Sequence, residues 1–151
     1  TLHTNDAPSA ITRLLDLGVP SYLIQSTVLG IMAQRLVRTL CPACKQPIKL
    51  DSDQWHQYTA PWKLPLPVHA HGITGCLECR MTGYRGRSGI YEMLTITPEI
   101  KKLITPDADL AKIRAMAYKQ GMQPLLINGA EKIAAGLTTM EELSKVAPPL
   151  E

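Results

Sequence analysis

Four cysteines fall into two identically spaced pairs, Cys41-Pro42-Ala43-Cys44 and Cys76-Leu77-Glu78-Cys79. Two residues between cysteines let one tight turn aim both thiolates at a common point, with backbone N–H groups of the turn facing the sulfurs. Two such turns supply four soft ligands in a tetrahedron, the arrangement of a structural zinc site. The stretch between the pairs, residues 45–75, is longer than the ~15–20 residues common between the halves of a zinc ribbon. Doubling a loop adds only ~0.6 kcal/mol to its closure, so a single site over Cys41, Cys44, Cys76 and Cys79 is the expectation. Iron accepts the same four thiolates, and separate redox pairs would share the spacing, so both stay open.

A closed shell of four thiolates leaves no position for water or substrate, so the ion is expected to staple the fold and not to catalyse. His69 and His71 stand ahead of the second pair, but with four cysteines filling the shell they read as loop histidines. Lys45 and Arg80 directly follow the two pairs, and Arg38, Arg85 and Arg87 lie close in sequence. These cations read either as partners that offset the thiolate charge or as a solvated basic face.

Other chemistry is thinner. Gly83-Tyr84-Arg85-Gly86-Arg87-Ser88-Gly89 has the glycines of a phosphate loop but matches neither GxxxxGK[ST] nor GxGxxG, and it holds no lysine. Trp55 and Trp62, with the basic run Arg80–Arg87, would suit a zinc-ribbon binder of single-stranded nucleic acid. The bland reading is a small aromatic core beside the metal. Sixteen Lys and Arg against thirteen Asp and Glu give a net charge of +3, too weak to demand a polyanionic partner. A protein-docking module without chemistry is the remaining alternative.

The elements that must position these residues can be read from periodicity and punctuation. Asn5 or Asp6 caps a helix over 7–17 that Gly18 ends, and Pro20-Ser21 opens a second helix, carrying Val28 and closed by Gly30. Residues 32–40 fit helix or strand, with a strand through Leu36–Leu40 feeding the first cysteine pair. The proline-rich stretch 45–75 reads as extended loop with one short helix at Asp53–Tyr58. The glycine run 83–89 predicts a loop entering a strand at Ile90–Ile96. Helices follow from Thr97 to about Thr105, from an Asp107 cap to Lys119, over Pro124–Ala135, and from Thr139.

The 151-residue chain is 45% hydrophobic and 19% charged, with a mean hydropathy of −0.03. That balance fills a core and excludes disorder, collagen and coiled coil; about one domain, or one domain with an appendage, is expected. The longest apolar stretch, near Val28–Ala33, is far short of the ~20 residues that span a bilayer. No secretion signal is expected, and no disulfide framework with it. The chain opens at Thr1 without Met and reads as a piece of something longer, and Leu150-Glu151 reads as the start of a tag linker.

Taken together, Thr1-Leu2-His3-Thr4-Asn5-Asp6, Gln34-Arg35-Leu36-Val37-Arg38 running into Cys41-Pro42-Ala43-Cys44-Lys45, Cys76-x-x-Cys79 with Gly83-Tyr84-Arg85-Gly86-Arg87, and Gly136-Leu137-Thr138-Thr139-Met140-Glu141-Glu142 resemble the secretion ATPase family. These are hexameric motors of bacterial type II secretion and type IV pilus assembly. The resemblance covers essentially the whole chain, in order. It implies an α/β fold: a truncated C-terminal part of a RecA-like P-loop ATPase domain, with an inserted tetracysteine zinc module and a helical C-terminal tail. The implied division is 1–40 for the end of the ATPase core, 41–89 for the metal-binding module, and 90–151 for a strand followed by a helical subdomain.

The family's Walker A and Walker B motifs would lie upstream, so ATP and magnesium belong to the full-length protein and the isolated chain is expected to be inactive. His3 matches the histidine-box residue that the family places near the terminal phosphate. The implied setting is a homo-hexamer in the bacterial cytoplasm, peripheral to the inner membrane. It would bind secretion or pilus platform proteins there, and no nucleic acid. Asn128-Gly129, where many relatives have Asp-Gly, and the insert at 45–75 are departures that bear on the subfamily.

Overall fold

Asp6 opens the first helix, as its side chain predicts: the carboxylate accepts the backbone N–H of Ser9 at 2.9 Å and caps α1 (Ala7–Asp16). Pro8 sits in that helix's first turn, where a missing donor costs nothing. The computed structural model describes residues 1–147, so Leu150-Glu151 lies outside the described residues. After α1 come α2 (Ser21–Thr27), β1 (Gly30–Leu40), β2 (Gln46–Pro47), α3 (Ser52–Thr59), β3 (His71–Gly72) and β4 (Tyr84–Thr95). The chain then turns helical: α4 (Pro98–Leu103), α5 (Leu110–Lys119), α6 (Leu125–Ala134) and α7 (Met140–Val146). Helix and strand are mixed. Among the described residues there are two two-stranded sheets, β1 with β4 and β2 with β3.

Side-chain caps start four further helices. Asp51 accepts from Gln54 N–H, Thr97 from Ile100 N–H, Asp109 from the N–H groups of Ala111 and Lys112, and Thr139 from Glu142 N–H. Asp109, not Asp107, therefore caps α5. Two other stretches also fold differently from the sequence reading. The predicted second helix runs to Val28 with Gly30 closing it, whereas α2 stops at Thr27 and Gly30 begins β1. The predicted loop at 83–89 is already strand from Tyr84 onward. The reason is the same in both: β1 and β4 pair with each other. Ile96 N–H donates to Leu29 O at 3.0 Å beyond one end and Cys41 N–H to Gly83 O at 2.9 Å beyond the other, which makes the pair antiparallel. Tertiary pairing overrides the glycine punctuation.

The chain divides into two compact units, each drawn from two separated stretches. The first holds residues 1–34 and 91–124, and its core is built by Ile11, Ile24, Leu94, Ile100, Ile104 and Ile113. There α5 packs against α1 and α4. Two polar ties fix α1: Glu92, 3% exposed, accepts Ala7 N–H at 2.8 Å, and Arg114 Nε donates to Asp6 at 2.7 Å.

The second unit holds residues 35–90 and those from Leu125 on, around Val37, Trp55, Ile90, Leu126, Ile133 and Leu143. There α6 packs against α3 and α7. Trp55 is 1% exposed, and Tyr58 donates its hydroxyl to Ala147 O at 2.6 Å. The aromatics Trp55 and Tyr58 of the proline-rich stretch thus line a core. Trp55 is not a platform on which a base could stack.

Candidate metal centre

The four cysteines converge in the second unit. Their sulfurs all lie within 4.8 Å of one another, and they form a group able to hold a metal ion. Each pair occupies the gap between a strand of one sheet and a strand of the other. Cys41 and Cys44 lie between the end of β1 and the start of β2, and Cys76 and Cys79 between β3 and β4. The short antiparallel sheet joins the segment after the first cysteine pair to the segment before the second, with Gln46 opposite Gly72 and Pro47 opposite His71.

Local backbone turns aim the sulfurs. Lys45 N–H donates to Cys41 O at 3.0 Å, closing the first turn, and Met81 N–H donates to Cys76 O at 2.8 Å, closing the second. The second turn runs through Arg80 and Met81 in the left-handed region, at φ 52 and 63, uncommon for residues with side chains. That path returns Gly83 N–H to Cys79 Sγ at 3.2 Å, matched by Cys76 N–H to the same sulfur at 3.2 Å. Gly83 must be glycine at this crossing, since a Cβ there would lie 2.5 Å from Ile73 Cβ.

The spacing of the sulfurs tests the donor set. A tetrahedral ion with S–metal bonds of about 2.3 Å has sulfur–sulfur edges of about 3.8 Å. The structure has Cys41 to Cys76 at 3.9 Å, Cys44 to Cys79 at 3.8 Å and Cys76 to Cys79 at 3.7 Å. Soft thiolates at these separations fit zinc, and iron equally.

The electrostatics agree. Burial works against ionising Cys79, but the N–H groups of Cys76 and Gly83 and the thiols of Cys76 and Cys44 outweigh it and bring that thiol down to about 6. Burial pushes the Cys44 thiol up to about 11, despite a backbone N–H from Gly75. The two sulfurs differ because burial dominates at Cys44, whereas hydrogen bonds donated to the sulfur outweigh burial at Cys79.

Three of the nearby cations also make specific contacts of their own. Arg85 pairs with Glu78 at 3.0 Å, and Lys45 Nζ donates to Gly136 O at 2.9 Å. Arg38 lies 4.2 Å above the centre of the Tyr84 ring. His71 Nδ1 lies 2.8 Å from His69 O, and neither histidine belongs to the cysteine cluster. His3 is exposed in the irregular stretch ahead of α1, in the other unit.

Sequence reasoning missed Glu142. It is 6% exposed, accepts Arg38 Nη2 at 2.5 Å, Lys145 Nζ at 2.8 Å and the Arg38 backbone N–H at 3.3 Å. Its neighbours hold β1 and β4 as well. Thr138 Oγ1 donates to Arg38 O at 2.8 Å, and Thr139 Oγ1 meets Tyr84 Oη at 2.8 Å. The only signal in the sequence was the motif Gly136–Glu142 itself, whose partner Arg38 lies about a hundred residues away.

Residues 1–145 match the family described as type II/IV secretion system protein. The chain belongs to that family. Within the type II/IV secretion system proteins, it is 49% identical over 148 residues to the type IV pilus assembly ATPase TfpB of Acinetobacter baylyi, covering 98% of this chain and 25% of that protein. It is 40% identical over 146 residues to the type II secretion system ATPase E of Vibrio cholerae, covering 97% of this chain and 28% of that protein. A second Acinetobacter baylyi relative, the type IV pilus assembly ATPase PilB, is 40% identical over 148 residues, covering 97% of this chain and 25% of that protein. The chain thus spans about a quarter of the length of these secretion-family relatives. None of the helices among the described residues is long and apolar enough to cross a membrane.

Proposed function

We propose that this chain is the C-terminal part of the motor domain of an ATPase that powers type II secretion or type IV pilus assembly. The 49% identity to a pilus assembly ATPase across 98% of the chain carries this reading. In it, residues 1–40 end a RecA-like core, 41–89 form a zinc module held by Cys41, Cys44, Cys76 and Cys79, and 90–151 form a strand and helical subdomain. The zinc would lock two turns together and neutralise thiolate charge; it offers no open position for substrate. The three sulfur–sulfur edges of 3.7–3.9 Å, close to tetrahedral length, support that structural role.

Phosphoryl transfer needs backbone N–H groups, a lysine and magnesium-holding acids gathered round the phosphates. This chain's sequence lacks the loop motifs that supply them. ATP and magnesium would be bound by other segments of the whole protein, with His3 near the terminal phosphate. The whole protein would be a homo-hexamer in the cytoplasm, docked on inner-membrane platform proteins and contacting no nucleic acid.

A graft tests the reading: this chain replaces the matching segment of the Acinetobacter pilus ATPase TfpB. The chimera should form hexamers and turn over ATP, His3→Ala should lower its kcat, and the isolated chain should release no phosphate. A hexameric parent whose chimera is inactive, or turnover by the isolated chain, would overturn it.

A further inference from the structure

The stretch Gly136–Glu142 supplies none of the four cysteines, yet it meets both arms of their module. On the first arm Leu40, just before Cys41, donates its N–H to Leu137 O at 2.8 Å, and Lys45, just after Cys44, reaches Gly136 O at 2.9 Å. Thr138 adds the bond to Arg38 O at 2.8 Å. On the second arm Gly136 lies against β3: a Cβ on it would lie 2.5 Å from His71 Nδ1 and 3.3 Å from His69 O. The His71 ring is held by its own 2.8 Å contact with His69 O, so it cannot swing aside without losing that bond.

Gly136 also ends α6. Its N–H reaches Ile133 O at 3.0 Å and Leu137 N–H reaches Lys132 O at 2.9 Å, at a φ of +71. Gly121 ends α5 in the same way, at φ +94, but a Cβ there would meet nothing within 4 Å. The helix-ending role is shared by the two glycines. The wedge between the two cysteine arms belongs to Gly136.

We infer that Gly136–Glu142 is a clasp that positions the two cysteine pairs for one metal ion, so that seating this segment and loading the metal are one linked equilibrium. The inference rests on the four-thiolate reading above. An ion that binds only the arrangement with both arms in place is favoured by whatever holds them there, and holds that segment in return. Gly136 and Thr138 act through Leu40, Lys45, Arg38 and His71, and so are positioning residues.

Zinc affinity of the whole chain, read by competition with a chromophoric chelator, provides the test. Gly136→Ala should weaken zinc binding by about tenfold or more, the size expected of forcing one extra group into a filled contact. Gly121→Ala, with the same helix-end strain, should stay within about twofold of wild type. Combining Gly136→Ala with His71→Ala should recover much of the loss, because the ring that a Cβ would strike is gone. Equal affinities for the two alanine variants, or no recovery on removing the ring, would overturn the clasp.

Should Gly136→Ala fail to fold, hydrogen exchange on the wild-type chain decides. Amides from Leu137 to Leu143 should exchange more slowly with zinc than without, and identical protection would overturn the linkage. Wild-type chain that takes up no zinc would instead sink the four-thiolate reading, and the clasp with it.

Discussion

Arg38 and Glu142 lie a hundred residues apart in the chain and meet at 2.5 Å, with the carboxylate buried and the guanidinium half exposed. The guanidinium also covers the Tyr84 ring, so one side chain ties β1 to β4 and to α7 within the second unit. Glu142→Gln keeps the shape and removes the charge. Charged hydrogen bonds contribute ~1.5–3 kcal/mol, and the exposure of Arg38 discounts this to about 1–2 kcal/mol. Urea unfolding checks it. A loss under about 0.5 kcal/mol would show that the pair stabilises little.

The same carboxylate sets a pH dependence. The hydrogen bond from Arg38, opposed by burial and assisted by Lys145, holds the Glu142 carboxyl down to about 2, against an ordinary 4.5. A folded-state value below the unfolded one stabilises the fold above the unfolded value, and that stability is lost as pH falls through the folded one. The difference in stability between wild type and Glu142→Gln should therefore be constant from pH 7 to about 5 and shrink below about 4.5. A gap that widens on acidification would contradict the ion pair.

Elemental analysis of the purified chain should give about one zinc per chain, and a strong chelator should cause a large drop in melting temperature. Changing any one of Cys41, Cys44, Cys76 or Cys79 to Ser should abolish stoichiometric loading. Metal-free chain with an unchanged melt would mean that the sulfurs sit at ligand spacing without serving a metal.

Trp55 is 1% exposed and its indole N–H reaches Leu64 O at 3.3 Å. Trp55→Ala should cost ~3–5 kcal/mol, the range for emptying a buried aromatic site. Single-stranded oligonucleotides should leave the Trp55 fluorescence unchanged at low salt. Salt-sensitive quenching would revive the nucleic-acid reading.

Asp6 caps α1, bonds the Ser9 hydroxyl and pairs with Arg114 at 2.7 Å. Its carboxyl is held below the usual range: burial opposes ionisation, and the bonds from Arg114 and Ser9 outweigh it. Asp6→Ala should cost about 1–2 kcal/mol, as a lost cap with an added charge partner. A change within about 0.3 kcal/mol would mean that neither the cap nor the Arg114 bond stabilises the fold.

What the sequence disclosed follows from how local each cause is. The helix starts near Asp6, at Thr97 and at Thr139 and both cysteine turns are decided within a few residues, so they could be read directly, although of two nearby aspartates Asp109 and not Asp107 caps α5. The starts of β1 at Gly30 and β4 at Tyr84 could not, because each is set by the other strand. Glu142 looked like one of two adjacent glutamates at a helix start; only folding shows that one is buried on Arg38 while Glu141 stays exposed. Cys79 and Cys44 were likewise indistinguishable as letters, and diverge through burial, which dominates at Cys44, and the two N–H groups that reach Cys79.

The order of synthesis gives the discontinuous second unit a further meaning. Every cysteine has left the ribosome once Cys79 emerges, yet Leu137 and Thr138, which brace the strand before Cys41, come much later. At ~5–20 residues per second that interval lasts a few seconds. During it the four thiols exist, but the bonds that Leu137 and Thr138 make to the strand before Cys41 do not. The two cysteine turns are thus made well before the residues that brace the strand leading into the first of them.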